Sequence, residues 1–270
     1  MESIGHTVKK EEMRMNIAIV TGASSGLGRE FVRLLDEKQA YDEIWVIARR
    51  TERLLELAKR TKTTVIAVPL DLSEKESIKS LARHLKKEKP NVRMLINAAG
   101  YGKIGSYQDV SIEDCEGMID LNCRAAVTVT QTVLPFMKRG AHIMQICSTA
   151  AFQPFPYLNV YAASKAFLYR YSRALRVELK PREISVTAVC PYWIKDTEFI
   201  GRAASGKKNS PIRSFPLASK QKTVARRAMR DTYRGFAVST PGIVCKAHRV
   251  AAKVVPGNVM MNLWAVLRRL

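Results

Sequence analysis

The sequence is poor in acidic residues, has few cysteines and contains no long apolar run. Its five cysteines form no CxxC pair and show no metal-ligand spacing, so we expect free thiols in a reducing compartment and no metal site. No apolar run reaches the roughly 18 residues that a membrane-spanning helix needs, and residues 1–16 lack the apolar segment of a secretory signal. Together these absences predict a cytoplasmic protein.

The shortage of acids leaves a strong positive charge. The chain carries 45 lysines and arginines against 24 acids, a net charge of +21. Residues 201–270 hold fifteen of these cations and a single acid, Asp231. A surface of this kind attracts nucleic acid, anionic lipid or an acidic partner. No nucleic-acid-binding module and no basic stripe interleaved with aromatic residues accompanies the charge, so we expect no nucleic-acid ligand.

Apolar runs alternate with helical patterns over the first hundred or so residues. The predicted strands are short apolar runs that each end in a turn, and they are Ile17–Val20, Glu43–Ala48, Thr64–Leu70 and Val92–Ile96. Strands that alternate with helices favour a parallel, doubly wound α/β sheet. A chain of 270 residues can bury a full core as one such domain. We place this domain at residues 15–270, behind a polar extension at residues 1–14.

The turn after the first strand is rich in glycine, and a helix is predicted to follow it from Arg29. Glycines let backbone N–H groups approach a pyrophosphate at a helix N-terminus, where a Cβ would obstruct the approach. The turn therefore predicts a dinucleotide site. Its candidate cofactor residues are Gly22, Ser24, Ser25, Gly26, Leu27 and Gly28.

The ends of the second and third strands supply further candidates. Arg49 and Arg50 follow the second strand, where arginine accommodates a ribose 2′-phosphate and an acid would accept the 2′-hydroxyl. The pair predicts NADP(H) rather than NADH. We expect Arg49 to carry most of this preference, because Arg50 has a second interpretation as the start of a solvated helix. Asp71, followed by Leu72, is expected to accept from the adenine amino group, to cap the helix that begins near Ser73, or to do both.

Small residues follow the fourth strand. The sequence there reads Asn97-Ala98-Ala99-Gly100, and short side chains at this point let the backbone pass close to the cofactor ribose. Asn97, Ala98 and Gly100 are therefore candidate cofactor residues.

A serine, a tyrosine and a lysine stand at a spacing that suits proton transfer to a carbonyl oxygen. Ser148 follows the predicted strand His142–Cys147, and so lies at a strand's carboxyl end, where open α/β sheets bind ligands. Tyr161 and Lys165, four residues apart, share one face of a helix. An ammonium held near a tyrosine lowers its pKa from about 10 toward the working range. Tyr161 would then donate a proton to a ketone oxygen that Ser148 holds, with Lys165 tuning the tyrosine.

These motifs together resemble the short-chain dehydrogenase/reductase family over about residues 15–200. They are Thr21–Gly28, Asn97–Gly100, Ser148 and the pair Tyr161 and Lys165. The resemblance implies a Rossmann-type fold, hydride transfer with a nicotinamide cofactor, and a catalytic Asn–Ser–Tyr–Lys set. It assigns the asparagine to Asn122, in a helix predicted over Asp114–Met137, where it would hold a water that links Lys165 to solvent.

The sequence departs from the family pattern at Cys190-Pro191-Tyr192-Trp193, where most members have Pro-Gly. The threonine expected to contact the carboxamide of the cofactor falls one position late, at Thr197. The resemblance implies cofactor contacts from Pro191, Trp193, Ile194 and Thr197. Ser25 stands where many NADPH-using members have a basic residue, so the NADP(H) prediction depends on Arg49 and Arg50.

Residues beyond Ile194 are predicted to meet the substrate. A substrate loop at about residues 192–235 leads to an apolar and basic tail at residues 243–270, broken at Pro256-Gly257. The tail resembles the C-terminal extension of family branches that reduce hydrophobic carbonyls, such as steroid or acyl ketones. It either folds back as a pocket wall and subunit contact, or lies on an anionic membrane surface as a peripheral contact.

The sequence thus predicts an NADPH-dependent reductase of a hydrophobic ketone or aldehyde. The apolar faces of the helices around Leu121–Met137 and Tyr161–Leu179 predict a homodimer or homotetramer. The alternative is a catalytically silent dinucleotide-binding regulator, or a nucleic-acid-binding protein that uses the basic C-terminal third.

Overall fold

A parallel β-sheet lies at the centre of the structure, a computed structural model that describes residues 14–204, 211–212 and 217–267. Within these residues its strands are β1 Asn16–Thr21, β2 Glu43–Ala48, β3 Thr64–Pro69, β4 Asn91–Asn97, β5 His142–Ile146, β6 Ser185–Val189 and β7 Val238–Ser239. The strand order is β3-β2-β1-β4-β5-β6-β7, and every neighbouring pair is parallel. The chain enters at the middle of the sheet and winds outward in both directions, which confirms the doubly wound prediction.

Helices cover both faces of this sheet. They are α1 Gly26–Lys38, α2 Thr51–Ala58, α3 Lys75–Glu88, α4 Ile112–Ile119, α5 Ala126–Val133, α6 Asn159–Glu178, α7 Glu198–Ala204, α8 Gln221–Tyr233, α9 Ile243–Val254 and α10 Gly257–Leu267. Helices α3, α5 and α6 lie on one face, and α1, α2 and α8 lie on the other. This three-layer arrangement is the Rossmann-type fold that the sequence predicts.

Alternate residues of the strands enter two different cores. In β1, Ile17 and Ile19 pack into the layer that contains α3, α5 and α6, whereas Ala18 and Val20 pack against the α1 side. All four side chains have no exposed surface. Strands buried on both faces read as continuous apolar runs, and this burial is the reason that the strands could be predicted.

The helix predicted over Asp114–Met137 is present as an unbroken helical stretch from Ile112 to Phe136, but its regular α-helical pattern is interrupted inside that stretch. The structure has α4, a π-helical turn at Asp120–Ala125, α5, and a 3-10 turn at Leu134–Phe136 that contains Pro135. A π turn places one extra residue in the helix and rotates the side chains that follow. The interruption coincides with Asn122, which is completely buried.

Parts of other predicted segments lie outside the described residues. These parts are residues 1–13 of the extension, residues 205–210 and 213–216 of the substrate loop, and residues 268–270 of the tail. Among the residues with described positions, no helix has both the length and the hydropathy to cross a bilayer. The same residues contain no group of three or more metal-ligating side chains.

Candidate active site

A cleft opens where the carboxyl ends of β1, β2, β4, β5 and β6 meet. The predicted catalytic and cofactor residues all line this cleft, with the exceptions of Asn97 and Asn122. The residues come from segments far apart in the sequence, and parallel strands bring them to one edge of the sheet. In open α/β sheets this switch point between β1 and β4 is where ligands bind.

The glycine turn lets three parts of the chain come together at one end of the cleft. Gly22 has a φ of +68°, and a Cβ there would lie 2.7 Å from the carbonyl oxygen of Ala98 at the end of β4. A Cβ at Gly28 would overlap the carbonyl of Gly22. The hydroxyl of Ser25, the N-cap residue of α1, makes no capping bond. The first backbone N–H groups of α1 therefore remain available to an anion.

Arg50 lies against this glycine turn. Its Nη2 atom lies 3.0 Å from the Ser24 hydroxyl and 2.9 Å from the Ser25 hydroxyl, and donates to both. Arg49 instead extends outward, with 68% of its side chain exposed and its Nη1 atom 3.5 Å from an Asp71 carboxylate oxygen. Of the two arginines, Arg50 is thus the one that faces the predicted position of the adenosine ribose.

Asp71 shapes the turn that follows β3. Its Oδ1 atom accepts from the backbone N–H of Ser73 at 3.0 Å and from the Ser73 hydroxyl at 2.6 Å. Burial alone would raise the pKa of Asp71, but the bonds from Ser73 and the charge of Arg49 outweigh it and lower that pKa. Since α3 begins at Lys75, Asp71 closes a turn before the helix and does not cap the helix itself.

Asn97 faces the helix layer rather than the cleft. Its Nδ2 atom donates to the Thr130 hydroxyl of α5 at 2.9 Å, and its side chain is buried. The backbone after it is fixed by Thr21, whose hydroxyl accepts from the N–H groups of Ala98 and Ala99. The structure therefore gives Asn97 a role in packing β4 against α5.

The serine, tyrosine and lysine meet at the end of β5. The Ser148 hydroxyl caps a 3-10 turn by accepting from the N–H of Ala150 at 3.1 Å, and it lies close enough to the Tyr161 hydroxyl to affect the pKa of that tyrosine. Lys165 lies one turn further along α6, and its Nζ atom donates to the backbone carbonyl of Ile146 at 2.9 Å. Tyr161 and Lys165 are 8% and 5% exposed, so both polar groups are held inside the protein.

The expected lowering of the tyrosine pKa is wrong for the free protein. Burial raises the pKa of Tyr161 to about 12, and the nearby Ser148 hydroxyl offsets only part of the rise. Burial also lowers the pKa of Lys165 from its ordinary value. Desolvation thus dominates both groups, and at neutral pH Tyr161 carries the proton that a reductase must donate.

Asn122 lies behind the catalytic groups, in the π-helical turn. Its Oδ1 atom accepts from the backbone N–H of Tyr101 at 3.0 Å, and its Nδ2 atom donates to the Tyr101 carbonyl and to the Ser164 hydroxyl. A Cβ at Gly100 would lie 2.6 Å from this Oδ1 atom and 3.3 Å from the Lys165 Nζ atom. The side chain thus fixes the backbone after β4 beside the lysine, while the water that the family resemblance implies stays a prediction.

Aromatic and apolar side chains line the far end of the cleft. Phe155, Leu158, Tyr192 and Phe199 lie there, and the Phe199 ring packs on Tyr161 with a centroid distance of 5.5 Å. Phe155, Leu158 and Phe199 belong to none of the sequence motifs that predict site residues. They share the cleft with Ser148 and Tyr161 because the segments that follow β5 and β6 fold together, and no local pattern marks them.

The tail closes this aromatic end from outside. The Trp264 ring of α10 packs edge-on against Phe155 with a centroid distance of 4.9 Å, and its indole N–H donates to the Pro156 carbonyl. In α9, His248 hydrogen-bonds Gln153 at 3.0 Å. These contacts support the prediction that the tail folds back as a pocket wall.

The segment after β6 follows the family pattern only in part. The side chain of Thr197 lies 3.7 Å from the position of a Cβ on Gly26, so this residue reaches the cofactor end of the cleft. Asp196, which stands where the family has its threonine, accepts from the N–H of Gln221 and caps α8. The one-residue shift therefore places a helix cap and a cleft residue side by side.

A parallel sheet with a glycine turn and a Ser–Tyr–Lys set at one edge defines a dinucleotide-dependent oxidoreductase. A model of the short chain dehydrogenase family matches residues 16–208, and the chain belongs to this family.

Its relatives include reductases and dehydrogenases. The chain is 34% identical over 186 residues to the NADP-dependent 3-hydroxy acid dehydrogenase YdfG of Shigella flexneri, covering 68% of this chain and 74% of that protein. It is 35% identical over 190 residues to sulfoacetaldehyde reductase 2 of Chromohalobacter salexigens, with 68% and 74% covered. A short-chain dehydrogenase from Sphingobium yanoikuyae, solved with NADPH, matches with a TM-score of 0.75 at 25% identity, over 91% of this chain and 94% of that one.

Proposed function

We propose that the protein is an NADP(H)-dependent reductase of a hydrophobic ketone or aldehyde. The observation that carries the proposal is the hydroxyl pair of Ser148 and Tyr161, which lies between the glycine-lined and aromatic ends of one cleft. A cofactor bound at the glycine-lined end and a carbonyl compound bound at the aromatic end would meet at these hydroxyls.

The residues at the glycine end fit a dinucleotide phosphate. Gly22 and Gly28 let the turn pack closely against the backbone of Ala98 and against itself, and the start of α1 offers backbone N–H groups. The Arg50 guanidinium and the hydroxyls of Ser24 and Ser25 suit a ribose 2′-phosphate. Relatives named as NADP-dependent or solved with NADPH support the same cofactor.

The catalytic residues would act on the substrate oxygen. When bound, NADPH supplies the hydride. Tyr161 donates its proton to the carbonyl oxygen, because burial keeps the hydroxyl protonated at neutral pH. Ser148 orients that oxygen through a hydrogen bond, and the Lys165 ammonium, fixed on the Ile146 carbonyl, places a positive charge nearby.

The substrate proposal rests on the aromatic end of the cleft. Its walls, Phe155, Tyr192 and Phe199 among them, favour a bulky apolar carbonyl compound such as a steroid or acyl ketone. The test is a panel of hydrophobic and small polar carbonyl compounds, with NADPH oxidation followed by absorbance. Turnover of small polar compounds alone would contradict this substrate class.

Two helices offer a surface for self-association. The outer face of α6 exposes Ala163, Phe167, Ala174 and Val177 beside Arg170 and Arg173, and Phe167 and Val177 are 48% and 71% exposed. Ile119 of α4 is 52% exposed. We infer a homodimer or homotetramer through these helices, which sedimentation of the native and Phe167→Glu proteins would test.

The second face of the tail supports a peripheral contact with anionic lipid. The large apolar side chains of this face are at least half exposed, and they are Ile243, Val250, Val254, Val259, Leu263 and Val266. Lys246 and Lys253 flank them, and residues 232–270 contain no acid. Apolar residues beside cations suit the interface of an anionic bilayer. The cytoplasmic location stays a prediction.

A further inference from the structure

The cleft is bridged at its adenosine end by a carboxylate. Glu198, the first residue of α7, lies between two arginines of the β2–α2 segment. One oxygen accepts from the Arg50 Nη1 atom at 3.1 Å, and the other accepts from Arg53. The two arginines are separated from Glu198 by more than 140 residues of sequence, so the contact depends on the fold.

The carboxylate occupies an anion cradle. Arg50 directs its Nε and Nη2 atoms to the hydroxyls of Ser24 and Ser25 and its Nη1 atom to Glu198. A guanidinium held in this way presents a fork that suits a phosphate as well as a carboxylate. A ribose 2′-phosphate at Arg50 would therefore meet a group of like charge.

We propose that Glu198 is a specificity-determining residue that competes with the cofactor 2′-phosphate for Arg50 and leaves it when NADP(H) binds. The inference rests on the proposed function, because it takes the 2′-phosphate site to be Arg50. NADH lacks the 2′-phosphate and therefore does not compete with Glu198 for the Arg50 guanidinium. Glu198 thus weakens NADP(H) binding more than it weakens NADH binding.

The exchange would also reach the substrate end. Phe199 follows Glu198 directly, and its ring contacts the ring of the proton donor Tyr161. A Cβ at Gly102 would lie 3.1 Å from the Phe199 ring, which leaves little room on that side. Release of Glu198 would therefore act on the residue next to Phe199, which forms part of the wall of the substrate pocket.

The test compares adenosine 2′,5′-bisphosphate with 5′-AMP in titration calorimetry on the full chain. Glu198→Gln keeps the side-chain shape and removes the charge. Since the Arg50–Glu198 pair is partly exposed, we expect this variant to bind the bisphosphate about fivefold more tightly. Binding of 5′-AMP should not change. Glu52→Gln, which removes an exposed acid from the first turn of α2, is the matched control and should change neither affinity.

Two results would overturn the inference. The Glu198→Gln variant could leave bisphosphate binding unchanged or weaker, or it could tighten both ligands equally through general electrostatics. An Arg50→Gln variant separates this failure from that of the proposed function. If Arg50→Gln removes the preference for the bisphosphate while Glu198→Gln has no effect, only the competition is wrong. If Arg50→Gln keeps the preference, the 2′-phosphate site is wrong as well.

Discussion

Replacement of Tyr161 by phenylalanine tests the assignment of the proton donor. The change removes one hydroxyl and leaves the ring, which is 8% exposed and packs against Phe199. Ser148 keeps its bond from the Ala150 N–H, so no buried group loses its only partner. Loss of one neutral hydrogen bond costs about 0.5–1.5 kcal/mol. In a domain of this size, each kcal/mol of lost stability lowers Tm by roughly 2–4 °C.

The effect on catalysis should be much larger. A general acid contributes about 10²–10⁴ to the rate, so the variant should keep at most about 1% of the NADPH oxidation rate with its best ketone. Affinity for adenosine 2′,5′-bisphosphate should not change, because the lost hydroxyl faces the substrate. Calorimetry and circular dichroism check binding and folding in the same preparation. A variant that folds, binds the nucleotide and retains more than a few per cent of activity would refute the role of Tyr161.

Three further predictions follow from the geometry. Arg50→Gln should lower the preference for NADPH over NADH by about tenfold. Arg49→Gln removes a guanidinium that faces outward and should change this preference less than twofold. Titrations of both variants with NADPH and NADH decide which arginine binds the 2′-phosphate. With a pKa of about 12, Tyr161 should stay protonated in the free protein, so the 295 nm absorbance of native protein minus Tyr161→Phe should not rise between pH 7 and 10; a rise there would mean that the Lys165 charge outweighs burial. In the tail, the double variant Val250→Ser, Val254→Ser should lose binding to anionic vesicles and keep reductase activity. The control Leu55→Ser replaces an exposed leucine on α2 and should keep both properties. Vesicle binding by the double variant would contradict the membrane contact.

The candidate catalytic residues could be placed in one site from the sequence because their order and spacing are local properties of the chain. Tyr161 and Lys165 need only a helix to lie on one face, and Ser148 needs only a strand that ends before it. The strands themselves could be predicted because both faces of the sheet are buried. These features depend on short stretches of sequence.

Features that depend on distant contacts could not be predicted. Arg49 and Arg50 are adjacent, and their different directions depend on the glycine turn and on Glu198 from a later segment. The π turn around Asn122 interrupts a stretch that reads as one continuous helix. The pKa of Tyr161 depends on how completely the fold excludes water, and the sequence shows only that a lysine stands four residues away.

The same distinction limits what the relatives say about the substrate. The family match ends at residue 208, and it contains the glycine turn and the catalytic set. The contact between Trp264 and Phe155, which closes the aromatic end of the cleft, joins the matched region to the tail beyond it. The substrate pocket proposed above is thus completed by a segment outside the family match, so a relative's substrate does not transfer to this chain. For this reason the substrate must be found by assay on the full chain, with the tail in place.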